Sequence, residues 1–194
     1  MSLISLRRFD PSRDYPIFYR VYSDYNEQHN LFDLVNLNSP ERFPTTFEKA
    51  LSHSYRDTLV IEETSTGAFV GFIISYGYSP NDGHIKIMGY IEKPFRNCGY
   101  GGIAVLRFME MLFRHYNLRK IYSEVYAFND DSMIANQKTG FCEEARLKDY
   151  RYYNGAYWDF IIYAMTREDF FSRYEKRLGS FNKVVSDEKV VYEN

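Results

Sequence analysis

The sequence predicts an α/β fold in which helices cover one mixed β-sheet. Three observations predict it. The middle of the chain, Thr58–Glu92, carries strand patterns separated by turn residues. A helical pattern with a broad apolar stripe then separates this region from the next strand, Lys120–Ala127. Further on, Asn154-Gly155 lies between two more strand patterns, and this dipeptide is the strongest short-range hairpin signal.

The composition favours a single domain, predicted over residues 1–178, with a loose tail over 179–194. A net charge of −2 gives no electrostatic footprint for nucleic acid, and no apolar run is long enough to span a membrane. Met1–Phe9 lacks the apolar core of a secretory signal. Cys98 and Cys142 form neither a disulfide framework nor a metal-ligand spacing with the histidines. We therefore expect a cytoplasmic protein without a metal, nucleic-acid or membrane partner.

The N-terminal part predicts one strand and two helices. The alternation over Ile4–Phe9 is typical of a strand, and Asp10-Pro11-Ser12 ends it and starts a helix that continues to about Tyr25. Asn36–Pro44 is a polar break, and Thr46–His53 predicts the second helix. Two helices in this place either cover a sheet or shape a substrate cleft, and the sequence does not separate these alternatives.

The middle of the chain predicts an antiparallel meander. Its strands are expected at Thr58–Glu63, Ala68–Tyr76 and His84–Glu92. The turn residues of Thr64–Gly67 and Gly77–Gly83 separate them.

The remaining elements follow in the order helix, strand, helix, hairpin, helix. A helical pattern runs to about Tyr116, and the strand after it leads into Asn129–Ser132, a capping cluster for a short helix ending near Lys138 and closed by Gly140. The hairpin strands are predicted at Phe141–Tyr152 and Ala156–Met165, and the last helix at Arg167–Leu178.

The first helix after the meander opens with a glycine-rich loop, Arg96-Asn97-Cys98-Gly99-Tyr100-Gly101-Gly102. Free backbone N–H groups at a helix N-terminus carry partial positive charge and suit a phosphate or pyrophosphate. Glycine accepts positive φ and lets a ligand approach the backbone. Arg96 adds a fork of donors beside the loop. Alone, these glycines are also consistent with simple turn chemistry.

Two segments in this order and spacing resemble the GNAT superfamily of acyl-coenzyme A-dependent N-acetyltransferases. The first is the loop Arg96–Gly101, and the second is Asn129 followed by Gly140-Phe141 at the end of a short helix. They cover roughly residues 85–142. Ser132 and Lys138 resemble the branch that includes ribosomal-protein N-terminal and polyamine acetyltransferases.

The resemblance implies a largely antiparallel sheet with a V-shaped split between two parallel strands, those that end near Glu92 and Ala127. It implies acetyl-CoA as the cofactor, with pantetheine along the first of these strands and the pyrophosphate on the loop amides. The implied cofactor-binding residues are Tyr90, Ile91, Arg96, Asn97, Cys98, Gly99, Tyr100, Gly101, Gly102 and Asn129.

The resemblance also implies direct acetyl transfer to a primary amine, either a small amine such as a polyamine or a protein or peptide N-terminus. The amine must lose a proton, and a backbone N–H must stabilise the oxyanion. The candidate catalytic residues are Glu124, Glu92 and Ser132. Each has a structural alternative, since the glutamates are also typical of strand edges and Ser132 of a helix cap. A homodimer is a possible assembly.

The sequence departs from the family pattern at one position. Many members carry a tyrosine seven residues after the asparagine, where it protonates the departing thiolate, whereas this chain has Asn136. Water or Ser132 would then have to serve. The departure keeps open a second hypothesis, a catalytically silent acyl-CoA-binding sensor or interaction module.

The aromatic residues of Tyr150–Tyr153 and Tyr157-Trp158 fit an amine pocket or the faces of a hairpin, and the hairpin is favoured.

Overall fold

A computed structural model of the chain describes residues 3–24, 27, 30–31, 39–53 and 55–185. Its elements, in chain order, are β1 (Ile4–Arg8), α1 (Pro11–Ser23), α2 (Phe43–His53), β2 (Tyr55–Glu63), β3 (Phe69–Ser79), β4 (His84–Ile91), α3 (Tyr100–His115), β5 (Lys120–Tyr126), α4 (Asp130–Lys138), β6 (Cys142–Tyr153), β7 (Ala156–Thr166) and α5 (Arg167–Val185). A short 3₁₀ turn, Lys93–Phe95, follows β4. Among the described residues, no helix combines the length and the apolar character needed to cross a bilayer.

The strands form one seven-stranded sheet in the order β1-β2-β3-β4-β5-β7-β6. The β4–β5 pair is parallel, and the other five neighbouring pairs are antiparallel. Helix α3 connects the parallel strands, as a crossover between parallel neighbours requires. The predicted mixed, largely antiparallel sheet with flanking helices is therefore confirmed.

The parallel pair opens partway along its length. Pairing runs from His84 opposite Lys120 to Ile87 opposite Ser123 and stops there. Strand β4 continues to Ile91 and β5 to Tyr126, each hydrogen-bonded only to its other neighbour over this part. The V-shaped split between two parallel strands is thus confirmed, and it leaves a gap in the middle of the sheet.

Helices cover both faces of the sheet. Phe108, Phe113 and Phe170 belong to the buried cluster that α3 and α5 form on one face. Phe18 and Phe47 belong to the aromatic cluster that α1 and α2 form on the other. Because side chains alternate along a strand, successive residues of β4 and β5 contact opposite helical layers.

Helix boundaries differ from the predictions for local reasons. Helix α2 begins at Phe43 instead of Thr46, because Pro44 fits the first turn of a helix, where its missing N–H is not needed. Helix α5 continues beyond Leu178 to Val185, so the predicted tail begins inside a helix. The rest of that tail, 186–194, and residues 36–38 of the predicted polar break lie outside the described residues.

The turns of two hairpins also follow from local chemistry. Strand β3 runs past Tyr76 to Ser79, which pairs with His84, so the turn shortens to residues 80–83. At the β6–β7 turn, Asn154 (φ 49°) and Gly155 (φ 83°) both have the left-handed backbone that a two-residue hairpin turn requires. The predicted hairpin is confirmed.

Candidate active site

A cleft of about 630 Å³ lies where β4 and β5 separate. The ends of both strands, the glycine loop, the first turn of α3 and most of α4 line it. The split in the sheet therefore places the predicted cofactor loop and the end of β5 around one opening.

The glycine loop presents its amides without partners. Asn97 (φ 62°) and Gly99 (φ 82°) are both left-handed, and Gly99 precedes α3 without capping it by a side chain. The first N–H bonded back into the helix belongs to Ile103, which donates to Gly99 O at 3.1 Å. Within the described part of the chain, no amide from Asn97 to Gly102 donates a hydrogen bond. These groups are available to a phosphate at the positive end of the helix dipole.

The glycines of the first helical turn keep the cleft open. A Cβ on Gly102 would meet nothing within 4 Å, although this residue lines the cleft. The space beside it is therefore a cradle that a side chain would begin to fill. This observation and the free amides fit the diphosphate of coenzyme A.

The structure brings most of the predicted cofactor residues to the cleft. Those that line it are Tyr90, Ile91, Arg96, Asn97, Gly99, Gly101, Gly102 and Asn129. Cys98 and Tyr100 do not line it. The Tyr100 hydroxyl donates to Glu63 Oε1 at 2.9 Å instead, and Cys98 is exposed. For these two residues only the backbone is placed to contact a ligand.

Arg96 is fixed by contacts on both sides of the loop. Its Nε donates to Ile91 O at 3.0 Å, and its Nη2 donates to Glu27 Oε2 at 2.8 Å. Its guanidinium lies 5.9 Å from the ring centre of Tyr90. Glu27 is 4% exposed and also lies 3.4 Å from Lys93 Nζ. Part of the expected donor fork is thus used inside the protein.

Glu124 lies one residue beyond the last residue of β5 that pairs with β4, and it lines the cleft. Its Oε1 accepts a hydrogen bond from Lys86 Nζ at 2.6 Å, and its Oε2 accepts one from the Tyr76 hydroxyl at 3.0 Å. The side chain is 10% exposed. A carboxylate offers about four lone-pair sites, so Glu124 retains capacity to accept a proton from a bound amine.

Glu92 is not brought to the cleft. It follows β4, forms an ion pair with Arg20 of α1, and lies 3.4 Å from the Tyr90 hydroxyl. Burial first, and then the Glu92 charge, raise the pKa of Tyr90 to about 12. Of the two glutamates proposed from the sequence, only Glu124 lies at the opening.

The start of α4 forms the opposite wall of the cleft. Asn129 Oδ1 accepts from the Ser132 amide at 3.1 Å, and the Asn136 side-chain amide donates to Ser132 O at 2.9 Å. All three residues line the cleft, and Asn136 is 8% exposed. The helix cap is therefore Asn129, and the alternative that Ser132 caps this helix is wrong.

The aromatic residues of the last hairpin pair across its strands. Tyr152 stands opposite Tyr157, and their ring centres are 5.3 Å apart. Both are exposed, and neither lines the cleft. This arrangement agrees with the hairpin interpretation.

Sequence reasoning missed Glu27, which lines the cleft, and it missed Tyr76 and Lys86, which contact Glu124 without lining the cleft themselves. Lys86 interrupts an apolar strand, and this isolated charge was the sequence feature that could have indicated a functional role. Tyr76 has the aromatic character usual in a strand, and Glu27 belongs to a polar stretch after α1, so neither differs from its surroundings in sequence.

Comparisons with known proteins agree with this geometry. Residues 4–142 match the model of an acetyltransferase (GNAT) domain. An SPbeta prophage-derived uncharacterized N-acetyltransferase of Bacillus subtilis, YokL, is 29% identical over 106 residues, which are 55% of this chain and about 60% of the length of that relative.

Solved structures share the fold at low identity. The spermidine N-acetyltransferase of Vibrio cholerae in complex with CoA and spermine matches with a TM-score of 0.78 and 18% identity over 88% of this chain and 99% of that one. A dodecameric structure of the Vibrio enzyme in an intermediate state gives a TM-score of 0.75 and 17% identity over 89% and 99%. Because the family model spans more than half of the sequence, the chain belongs to the GNAT acetyltransferase family, which bears out the predicted enzyme class and its acetyl-CoA cofactor.

Proposed function

We propose that this protein transfers an acetyl group from acetyl-CoA to a primary amine, either a small amine such as a polyamine or a protein or peptide N-terminus. One observation carries the proposal: the free amides of the glycine loop and the carboxylate of Glu124 face the same cleft. A phosphate site and a base that line one opening suit direct transfer between two bound substrates.

The chain's own residues would bind the cofactor in two places. The amides of Asn97–Gly102 hold the diphosphate, assisted by the part of the Arg96 guanidinium that Glu27 and Ile91 leave free. Beyond Ile87, β4 no longer pairs with β5, so the strand edges at the split are available to the pantetheine amides. When bound, acetyl-CoA supplies an activated acetyl thioester.

Glu124 is the proposed general base. An amine that attacks a carbonyl must first lose its proton, directly or through an ordered water. Hydrogen bonds from Lys86 and Tyr76 contact both carboxylate oxygens, so the orientation of the Glu124 side chain is fixed. Ser132 remains the proposed proton donor to the leaving thiolate, because it lines the cleft where Asn136 cannot serve as an acid.

Asn136 also supports a second candidate, a catalytically silent acyl-CoA-binding sensor or interaction module. Its side-chain amide is buried and donates to the backbone of α4, and an amide is not a proton donor to a thiolate. In this case the cleft would bind the cofactor without transferring its acetyl group.

A thiol-release assay separates the two candidates. Acetyl-CoA is incubated with spermidine, aminoglycosides, and peptides with free N-termini, and free coenzyme A is measured together with calorimetric acetyl-CoA binding. Spermidine is included because the Vibrio cholerae neighbours act on it. An acetyltransferase binds the cofactor and releases thiol with at least one amine. Binding without release from any amine would favour the silent module, and no binding would contradict both.

A homodimer and a cytoplasmic location complete the proposal. Strand β6 is at the edge of the sheet and is exposed from Cys142 to Tyr150, so its outer edge is open to a second copy. Light scattering after size exclusion tests the dimer.

Two exposed free cysteines support a reducing compartment.

A further inference from the structure

The carboxylates that line the described part of the cleft are already largely neutralised. They are Glu27, Glu124 and Asp131. Glu27 is paired with Arg96 and Lys93, and Glu124 is paired with Lys86. Asp131 is exposed in the first turn of α4, on the same wall as Asn129. Two of the three described carboxylates are therefore already compensated and offer little negative charge to an acceptor that carries several ammonium groups.

Lys86 is placed beside the proposed base. It belongs to the paired part of β4, one residue before the split, and its Nζ lies 2.6 Å from Glu124 Oε1. The Tyr76 hydroxyl from β3, which donates to Oε2, is neutral, and Ile162, opposite Glu124 on β7, is apolar. Lys86 is thus the cation that contacts Glu124 within the described residues.

An acceptor amine that donates its proton to Glu124 must come within roughly 3 Å of that carboxylate. Its nitrogen then lies roughly 4–6 Å from Lys86 Nζ, since both nitrogens contact one carboxylate. A like charge at this distance disfavours the protonated amine. The charge on Lys86 therefore favours an acceptor that is readily neutral.

We propose that Lys86 is a specificity-determining residue that disfavours polycationic acceptors and favours the α-amine of a peptide N-terminus. This inference rests on the proposed function. An α-amine has a pKa of about 7.8 and an alkylamine one of about 10.4, so at pH 7.5 roughly one α-amine in three is neutral, against roughly one alkylamine in a thousand. The Lys86 ammonium adds to this difference for a polyamine, because it repels the reacting ammonium and, more weakly, the further charges of the same molecule.

The experiment compares kcat/KM for an uncharged short peptide with a free N-terminus and for spermidine, at pH 7.5 and fixed salt. The ratio of the two constants is the measured quantity, because any change in the strength of the base affects both acceptors alike. The two neutral fractions alone give a peptide preference of roughly 300-fold, and we expect the wild-type protein to exceed it by roughly tenfold or more, since a factor of ten corresponds to one pKa unit of like-charge repulsion. Lys86→Met should reduce this ratio at least several-fold, and Lys86→Arg should keep it.

Lys120→Met is the matched control. Lys120 forms an ion pair with Glu144 at 2.7 Å on the same sheet, and Glu144, unlike Glu124, does not line the cleft. Its removal should leave the ratio unchanged. Lys86→Gln replaces the methionine variant if that variant does not fold, because it also removes the charge.

A wild-type preference for spermidine, or the same ratio in the Lys86→Met protein, would overturn the inference while leaving the acetyltransferase proposal intact. Mass spectrometry that found an acetyl group on Lys86 would also overturn it, because Lys86 would then be an acceptor. The absence of thiol release with every amine would overturn the proposed function itself, and this inference with it.

Discussion

Arg96 donates from Nη2 to Oε2 of Glu27 at 2.8 Å, and this contact ties the glycine loop to the connection between α1 and α2. The two residues are 69 positions apart in the chain. Glu27 is one of the few buried charged residues, and it lines the cleft together with Arg96. The loop that presents amides to a phosphate is therefore held in place by an ion pair with a buried carboxylate.

We expect Arg96→Ala to lower the free energy of unfolding by roughly 1–3 kcal/mol, because Glu27 would keep a buried charge with only the more distant Lys93 as partner. Urea unfolding measures this change. Combining it with Glu27→Gln should recover part of the loss, since the uncompensated charge is then gone.

Arg114→Ala is the control for the Arg96 variant. It removes the pair with Glu110 on the surface of α3, and an exposed pair of this kind contributes about 0.5 kcal/mol or less. Equal stability of the Arg96→Ala and wild-type proteins would show that the Glu27 contact is not needed for the fold.

The second prediction concerns the cradle at the start of α3. Gly102→Val should fold normally, because its Cβ would meet nothing within 4 Å, yet it should weaken acetyl-CoA binding by roughly tenfold, about 1.4 kcal/mol. The acetyl-CoA affinity of Gly102→Ala should lie between those of the wild-type and Gly102→Val proteins. Calorimetric titration measures the affinities, and thermal unfolding checks the fold.

Gly99→Ala gives a contrasting case in the same loop. Its φ of 82° is strained for any residue with a Cβ, so we expect a loss of stability of about 1–2 kcal/mol in addition to weaker binding. If Gly102→Val bound acetyl-CoA as tightly as wild type, the diphosphate would have to lie elsewhere.

The fold and the glycine loop could be predicted because their signals are local. Strand alternation, the Asn154-Gly155 turn and the loop motif each depend on residues close in sequence. The Lys86–Glu124 contact spans 38 positions and appears only once β4 and β5 are adjacent. Glu92 was misplaced for the same reason, because Arg20, on a helix far away in sequence, holds it outside the cleft.

The third prediction concerns alkaline pH. Burial, helped by the Glu92 charge, raises the pKa of Tyr90 to about 12 in the folded protein, against about 10 when unfolded. The unfolded chain therefore loses this proton first, and the stability contribution is complete below pH 10 and lost as pH rises to about 12. Tyr90→Phe should make stability less dependent on pH in that window, by at most roughly 2–3 kcal/mol.

Unfolding in urea at pH 9, 10 and 11 measures this dependence. Tyr157→Phe, on the exposed hairpin, should leave the pH dependence unchanged. The same slope in the Tyr90→Phe and wild-type proteins would mean that Tyr90 does not retain its proton in the folded state over this range.

The last prediction tests the base. Glu124→Gln keeps the size and the hydrogen bond from Tyr76 but removes the basicity, so turnover should fall roughly 10²–10⁴-fold while acetyl-CoA binding stays nearly unchanged. The loss should become smaller at high pH, where the free amine no longer needs a base. Glu92→Gln is the matched control, because its carboxylate is paired with Arg20 away from the cleft, and it should retain turnover. Steady-state thiol release from pH 6 to pH 10 measures both variants. Wild-type turnover in Glu124→Gln across that range would leave proton removal to solvent, whereas a loss confined to Glu92→Gln would require the α1 side of the sheet to open during the reaction.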